Sequence, residues 1–435
     1  MIPAAEPEGT LRWGAVGLGA AARAMLSALA AHPQIQVVAG ADPDDRARAV
    51  FTAAHGVPAV PTLTELLARW DVDVVYVATP TPLHPAHVLE AFRAGVHVVV
   101  EKPMAPSVPE ARSMVAAAAE AGRVLVVGHS QSFEAPVRAM RALIESGRVG
   151  ALRAVNCWYF TDWMYRPRHP DELDETRGGG VPLRQGAHHA DIVRFLGGGL
   201  LRSVRGSVGR WDPGRPAAGA YTAFLEFEDG TPATTVYSGY DHFPSSELTF
   251  GIGESGRPVG PGYALARAQL TGLTAGEELE HKRGSAGPSR QDELLSSGDA
   301  QPFFGLVVVS CEGADMRVGP QGLIVYGDSR RVEIPLRGMP SGRGRLVEEV
   351  LDAVRGRGPA THDGPWGLAN LEVCAALGRS AAARQEIVLE HQVALRAQPS
   401  LAGVIDAAGD LTGNGTGARP APDGQEARPA ATRGT

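Results

Sequence analysis

Between Leu11 and Ser130, five short apolar runs alternate with Ala-rich stretches of helical period, and this alternation limits the possible folds more than any other feature of the chain. The runs are "LRWGAV", "QIQVVAGAD", "VDVVYVATP", "VHVVVEKP" and "RVLVVGHS". Each is strand-length and apolar almost throughout, as expected of strands buried on both faces. The stretches between them carry helix signals. Thr62 and Glu65 have capping-box spacing. Val88, Leu89 and Phe92 share one face of a helix that stops at Gly95. Pro109 and Gly122 bracket another helix. Strand and helix in alternation imply a parallel sheet wrapped on both sides. An N-terminal doubly wound α/β domain is therefore expected over residues 11–130, behind a flexible arm at 1–10.

The pattern then changes. "AVNCWYF", "LRSVRGSVGRW", "AYTAFLEFEDGTPATTVYSGY", "GLVVVS", "GLIVYGD" and "RRVEIPL" read as strands joined by tight turns, with Asp229-Gly230 as a hairpin signal. A second, α+β domain with a mainly antiparallel sheet is expected over 131–397. It includes a helix from Pro182 to Leu196 and two late helices. Residues 251–300, rich in Gly and Ser, read as an insertion or long loop, and 398–435 as a disordered tail.

Hydrophobic residues make up 44 % of the chain, enough for sizeable cores, and the net charge of -7 argues against a nucleic-acid partner. The three cysteines, Cys157, Cys311 and Cys374, lie far apart, which disfavours both a disulfide framework and a structural zinc. No apolar run reaches the roughly 18 residues that would span a membrane. A soluble cytoplasmic protein is expected.

"GLGAAA" places Gly17, Gly19 and Ala22 in the pattern G-x-G-x-x-A, after a strand and at the opening of a helix. Glycine lets the backbone approach a pyrophosphate, and the helix N-terminus attracts anions. Alone such a motif is weak, since glycines also end strands. Asp42 closes the next strand, where an acid would hydrogen-bond ribose hydroxyls and repel a 2'-phosphate. NAD is the expected cofactor, with NADP possible because Arg46 and Arg48 are near. A bland role for Asp42 as a helix cap is the alternative.

This motif, followed in order by "ATPTPLH" at Ala78–His84, "EKP" at Glu101–Pro103 and Gly178–Gly180 with His188 and Asp191, resembles the Gfo/Idh/MocA oxidoreductases. The resemblance covers residues 11 to about 395. It implies a Rossmann domain followed by an α+β domain that builds a homo-oligomer through its sheet. It also implies that Thr79, Pro80, His84 and Glu101 lie along the cofactor and that Lys102 sits in the catalytic site. "FTDWMYRPRHPDELDETRGGGV", "VYSGYDHF" and "HDGPWGLANLEVC" look like those of bacterial phthalate cis-4,5-dihydrodiol dehydrogenases, which oxidise a carboxylated dihydrodiol to dihydroxyphthalate.

On the expected helix, Arg184, His188 and Asp191 are spaced i, i+4, i+7 and would share a face. That face either lines the cleft or is simply solvated. The family usually carries Asp where this chain has Arg184, so a sugar-type carboxylate–His pair is in doubt. Arg suits an anionic substrate, because its fork grips a carboxylate through two parallel hydrogen bonds. Arg166 and Arg168, with His169, form a second basic cluster. Trp163 and Tyr165 are available there to pack on a ring, unless the loop is merely exposed. Lys102 and His188 are the candidate catalytic pair, one of them taking the hydroxyl proton; with a reference pKa of about 6.5, His188 suits that role. Glu101 and Lys102 should point opposite ways along their strand. His129 could contact cofactor or substrate, or cap the domain junction. His189 reads as a packing residue. A metal held by His188, His189 and Asp191 is disfavoured, since adjacent helical residues point about 100° apart.

These residues imply NAD(P)-dependent oxidation of a carboxylated aromatic cis-dihydrodiol, a small anionic substrate, with no membrane partner. A sugar or cyclitol dehydrogenase is one alternative. A non-catalytic NAD-binding sensor is the other.

Overall fold

The computed structural model describes residues 9–259, 265–284, 298–409 and 411. Its first sheet has six strands: β1 (Leu11–Val16), β2 (Ile35–Ala41), β3 (Ala59–Val60), β4 (Val74–Val77), β5 (His97–Val100) and β6 (Leu125–Val127). They lie in the order β3-β2-β1-β4-β5-β6, every pair parallel. Strands β4, β5 and β6 are buried at every residue, which is why their sequences do not alternate. The connecting helices are α1 (Ala20–Ala30), α2 (Asp45–His55), α3 (Leu63–Arg69), α4 (His84–Arg93) and α5 (Val108–Ala121). The Thr62 hydroxyl accepts from the Glu65 amide, capping α3, and Gly122 ends α5 in the left-handed conformation at φ +60°. This strand order reverses between β1 and β4. A crevice opens there at the carboxyl ends of the strands.

Helix α6 (Ala135–Glu145) leads into the second sheet. Its strands are β7 (Leu152–Phe160), β8 (Leu201–Gly209), β9 (Ala220–Phe227), β10 (Pro232–Ser238), β11 (Leu306–Cys311), β12 (Ala314–Gly319), β13 (Gly322–Gly327), β14 (Arg331–Pro335) and β15 (Ile387–Val388). The order is β14-β13-β12-β11-β7-β10-β9-β8-β15, and only β7 and β10 pair in parallel. Burial alternates along β7, β9 and β10, so one face packs inward and the other carries exposed Trp158 and Phe224.

The helix expected over 182–196 is broken. A single turn, α7 (Val181–Arg184), precedes α8 (Gly186–Gly197), with Gln185 between them. In a continuous helix the His188 amide would donate to the Arg184 carbonyl. Here it donates to the Gln185 carbonyl at 3.0 Å, and the Arg184 carbonyl is left for another donor. Helix α8 is buried on all sides, against the second sheet, α6 and one later helix, Gly364–Ala383.

Two further expectations change. Within 251–300, α9 (Leu265–Leu270) and α10 (Ala275–Gly284) are helices, while 260–264 and 285–297 lie outside the described residues. After α11 (Gly342–Val354) and α12 (Gly364–Ala383), the expected tail holds a short helix, α13 (Ala402–Ala408). It is ordered because Val404 and Ala408 bury an apolar face and the Ala408 carbonyl accepts from Arg330. Residues 410 and 412–435 lie outside the described residues, as do 1–8 of the expected arm; the Gly9 carbonyl accepts from Arg355.

The C-terminal helices return to the first sheet. Helix α12 packs on α5, and the His362 carbonyl accepts from the Val127 amide at 2.8 Å, continuing that sheet past β6. The crevice at β5 and β6 therefore faces α7 and α8.

Candidate active site

The glycine-rich turn has room for a dinucleotide. Gly17 is at φ +82°, and a Cβ there would stand 2.6 Å from the Thr79 amide nitrogen, so no other residue fits. At Gly19 a Cβ would meet nothing within 4 Å. Gly19 caps α1 without a side-chain hydrogen bond, and the first turn has no acid. The open amides of that turn therefore face free space, a donor set suited to a pyrophosphate. Ala22 is fully buried, where helix and sheet touch. Asp42 accepts from the Leu18 amide at 2.8 Å through Oδ2 and from the Asp44 amide at 2.9 Å through Oδ1. Its carboxylate is held beside the turn, and each oxygen keeps a lone pair for a ribose hydroxyl.

His84 is buried and braces two loops. Its Nε2 lies 2.8 Å from the Thr79 carbonyl and its Nδ1 3.0 Å from that of Pro103, and burial lowers its pKa to about 4. The neutral imidazole has one N–H and donates it to one of these carbonyls, while its other nitrogen lies against the second; both nitrogens face main chain rather than the crevice. The Glu101 carboxylate accepts from the Tyr76 hydroxyl at 2.5 Å, and that hydroxyl also lies 3.5 Å from the Ala21 carbonyl of α1. Glu101 points under the glycine-rich turn, whereas Lys102 points away from it.

Lys102 Nζ donates to the free Arg184 carbonyl at 3.2 Å. Burial lowers its pKa, assisted by Arg184 and opposed by Glu101, to about 8. His188 is buried against Phe304, with ring centroids 4.7 Å apart, and its Nδ1 has no hydrogen-bond partner among the described residues. Burial and the nearby Lys102 ammonium push its pKa well below the ordinary value. The order expected from free amino acids is therefore changed: Lys102, not His188, titrates near neutrality.

Asp191 does not share a cleft-facing surface with Arg184 and His188. Its Oδ1 accepts from Trp366 Nε1 at 2.8 Å, Asn370 Nδ2 at 3.1 Å and His362 Nε2 at 3.1 Å. This buried cluster fastens α8 to α12. Burial opposes the charge on His362, yet Asp191 and Glu349 raise its pKa to about 9. His189 Nδ1 pairs with the Tyr221 hydroxyl at 2.6 Å, so His188, His189 and Asp191 point at three different partners. His129 is buried at the end of β6, its ring 5.9 Å from that of His362, and it lies at the domain junction.

The basic residues arrive with an acid that the sequence reading passed over. Arg168 Nη1 donates to Glu172 Oε1 at 3.2 Å, Arg184 Nη2 lies 3.5 Å from the same oxygen, and Lys282 Nζ lies 3.4 Å from Oε2. Burial would raise the Glu172 pKa, but these three cations hold it well below the usual carboxylate range. Arg168 also donates to the Trp163 carbonyl at 3.0 Å, and its guanidinium stacks 3.9 Å above the Trp163 ring. Trp163 is 3 % exposed, so its face packs on Arg168 and is not open to a substrate ring. The physical reason is desolvation: a buried guanidinium needs a counter-charge and a packing partner. Arg166 pairs with Asp162 at 2.7 Å and keeps nearly half of its side chain exposed. Arg184 Nη1 also reaches Thr81 Oγ1 at 3.3 Å, next to the cofactor loop. A separate cavity of about 540 Å³, lined by residues including Tyr165, Trp211, Tyr240 and Phe243, contains neither Lys102 nor His188.

Glu172 carried a readable signal, since it stands four residues after Arg168 in the acid-rich "PDELDE". Phe304, His362 and Lys282 carried none, arriving from distant parts of the chain.

Residues 11–129 match the Gfo/Idh/MocA oxidoreductase family model with its NAD-binding Rossmann fold, and 137–256 match the Gfo/Idh/MocA C-terminal domain. The chain is 36 % identical over 376 residues to a 1-carboxy-3-chloro-3,4-dihydroxycyclohexa-1,5-diene dehydrogenase of Comamonas testosteroni, covering 84 % of this chain and 94 % of that one. A trans-1,2-dihydrobenzene-1,2-diol dehydrogenase of Bos taurus is 32 % identical over 203 residues, 46 % of this chain and 60 % of that one. A crystal structure of a Bordetella bronchiseptica protein described as a dehydrogenase superposes with a TM-score of 0.82 at 40 % identity, covering 87 % of this chain and all of that one. The WlbA dehydrogenase of Chromobacterium violaceum, solved with NADH, shares the fold at 20 % identity and a TM-score of 0.66, over 90 % of this chain and 99 % of that one. Two of these relatives, those of Comamonas testosteroni and Bos taurus, are named as dehydrogenases of cyclohexadiene diols, a broader class than the phthalate enzymes named from the sequence. The chain belongs to the Gfo/Idh/MocA oxidoreductases and is an NAD(P)-dependent dehydrogenase.

Proposed function

We propose that the protein oxidises a carboxylated cyclohexadiene cis-diol to the dihydroxy-aromatic acid, with phthalate 4,5-cis-dihydrodiol the substrate that fits best. The observation that carries this reading is the double role of Arg184. Its carbonyl receives Lys102, while its guanidinium joins Arg168 and Lys282 around Glu172. A proton acceptor and a carboxylate grip thus meet on one residue. Arg168, Arg184 and Lys282 gather around one carboxylate, a cationic surrounding that suits an anionic substrate. The Comamonas relative, named for a carboxylated and chlorinated diol, supports the chemical class.

When bound, the nicotinamide takes up the hydrogen and electron pair that leave the carbinol carbon. Lys102 as the free amine accepts the hydroxyl proton, since its pKa of about 8 lies near working pH. Neutral His188 offers a hydrogen bond to the diol, and Phe304 packs behind it. Arg184 and its neighbours orient the ring through its carboxylates. The hydroxy-ketone so formed enolises by moving a ring proton to oxygen, and the gain of aromaticity makes the oxidation effectively one-way. Asp42 supports NAD over NADP. The open face of the second sheet, with Trp158 and Phe224 exposed, supports a homo-oligomer.

The direct test is incubation with NAD or NADP and phthalate cis-4,5-dihydrodiol, beside inositol and glucose, following reduced cofactor by absorbance and the aromatic product by chromatography. Reduction with the polyols but not with the dihydrodiol would reject this reading in favour of a sugar or cyclitol dehydrogenase.

A further inference from the structure

Helix α10 is an unusual element to find beside a buried site. Its sequence, "AGEELEHKRG", has Leu279 as its only large apolar residue, so it has no apolar face to bury. A helix polar all round is held by charge pairs or not at all. Here the pairs lead into the substrate region. Glu278 Oε1 accepts from the Arg168 amide at 2.8 Å and from Arg215 Nη1 at 2.9 Å. One turn on, Lys282 faces Glu172. Glu280, 3.9 Å from Arg46 across two exposed side chains, adds little.

The cations divide between the two Glu172 oxygens. Arg168 and Arg184 stand at Oε1, and Lys282 stands at Oε2 with the His169 amide. Arg184 also reaches toward Thr81 and the cofactor loop, so it lies nearer the reacting end of the site. Lys282 lies on the other side of the carboxylate and remains one-third exposed. Two cationic positions on either side of one acid match two carboxylates on neighbouring ring carbons. A substrate with one carboxylate needs only the Arg184 side.

Resting on the proposed oxidation of a carboxylated diol, we propose that Lys282 is a specificity-determining residue that binds the second carboxylate of a dicarboxylated substrate. Helix α10, docked through Glu278, carries it to the site. The inserted segment thereby selects dicarboxylates over monocarboxylates.

The test uses stable aromatic probes. Phthalate and benzoate are titrated calorimetrically into the full-length protein saturated with NAD, for the wild type, Lys282→Met and Lys282→Arg. The expected result is phthalate binding about tenfold weaker in Lys282→Met, with benzoate and NAD affinities within about twofold of wild type and phthalate affinity restored in Lys282→Arg. Equal losses for phthalate and benzoate, or no loss for either, would overturn the role of Lys282 while leaving the carboxylated-diol reading intact. A wild type that binds neither probe would overturn that reading, and the selectivity of Lys282 with it.

Discussion

Lys102 Nζ and the Arg184 main-chain carbonyl meet at 3.2 Å, and they can do so because the helix is broken at Gln185. The Rossmann domain contributes the amine and the second domain the acceptor. The bond therefore fixes Lys102 across the crevice between the two domains.

Substituting Lys102 by Met should lower kcat by about a thousandfold or more, in the range expected for loss of a general base. NAD affinity should stay within about twofold, because the Lys102 ammonium is directed to the Arg184 carbonyl. Turnover assays with a fluorescence titration of NADH decide it; a comparable loss of cofactor affinity would give Lys102 a binding role instead.

The rate should rise with pH. Only the free amine can accept a proton, so kcat/KM should climb as pH rises through the Lys102 value of about 8 and level off above it. A rate that falls over this interval would point to a protonated Lys102 as the active form.

Arg184→Ala should raise KM for a carboxylated diol at least tenfold and change kcat far less. The main-chain carbonyl that holds Lys102 survives this substitution. The same change should hardly alter KM for an uncarboxylated diol; equal effects on both would refute the carboxylate grip.

Asp42→Ser should shift the NADP to NAD ratio of kcat/KM toward NADP by about tenfold, by removing the charge opposed to a 2'-phosphate. Cofactor kinetics with a fixed diol measure this, and an unchanged ratio would leave Asp42 only as a brace for the Leu18 and Asp44 amides.

His362→Gln should cost about 3 kcal/mol or more, since it leaves Asp191 buried without its cation. The folded pKa of His362 is raised from its ordinary 6.5 to about 9. Its contribution is thus full below the ordinary value and is lost as pH rises through about 9. Melting scans should show the wild type losing stability over that interval and the variant losing less. A variant whose melting temperature falls in parallel with the wild type would remove His362 from the account.

The two sheets were legible because strand and helix periods differ, and the glycine-rich turn because its spacing is local. Lys102 and His188 could be named from short motifs; Lys102 reaches the Arg184 carbonyl and His188 packs on Phe304. Other features depended on contacts made across the fold. A helical period runs through Pro182–Leu196, and Gly186 is the one local hint of the break at Gln185. Arg168 and Trp163 looked open to substrate until Glu172 and burial were seen to occupy them. Asp191 kept the spacing of a cleft residue, yet its partner His362 lies 171 residues away. Helix α10 was hidden in a stretch that composition alone marks as loop.

The most direct test of carboxylate recognition is the ratio of kcat/KM for a carboxylated cis-dihydrodiol to that for the same diol without carboxylates, measured with saturating NAD. Charge-assisted contacts to Arg184 and its neighbours predict a ratio of about a hundred or more. A ratio near one, or one favouring the uncarboxylated diol, would contradict the account.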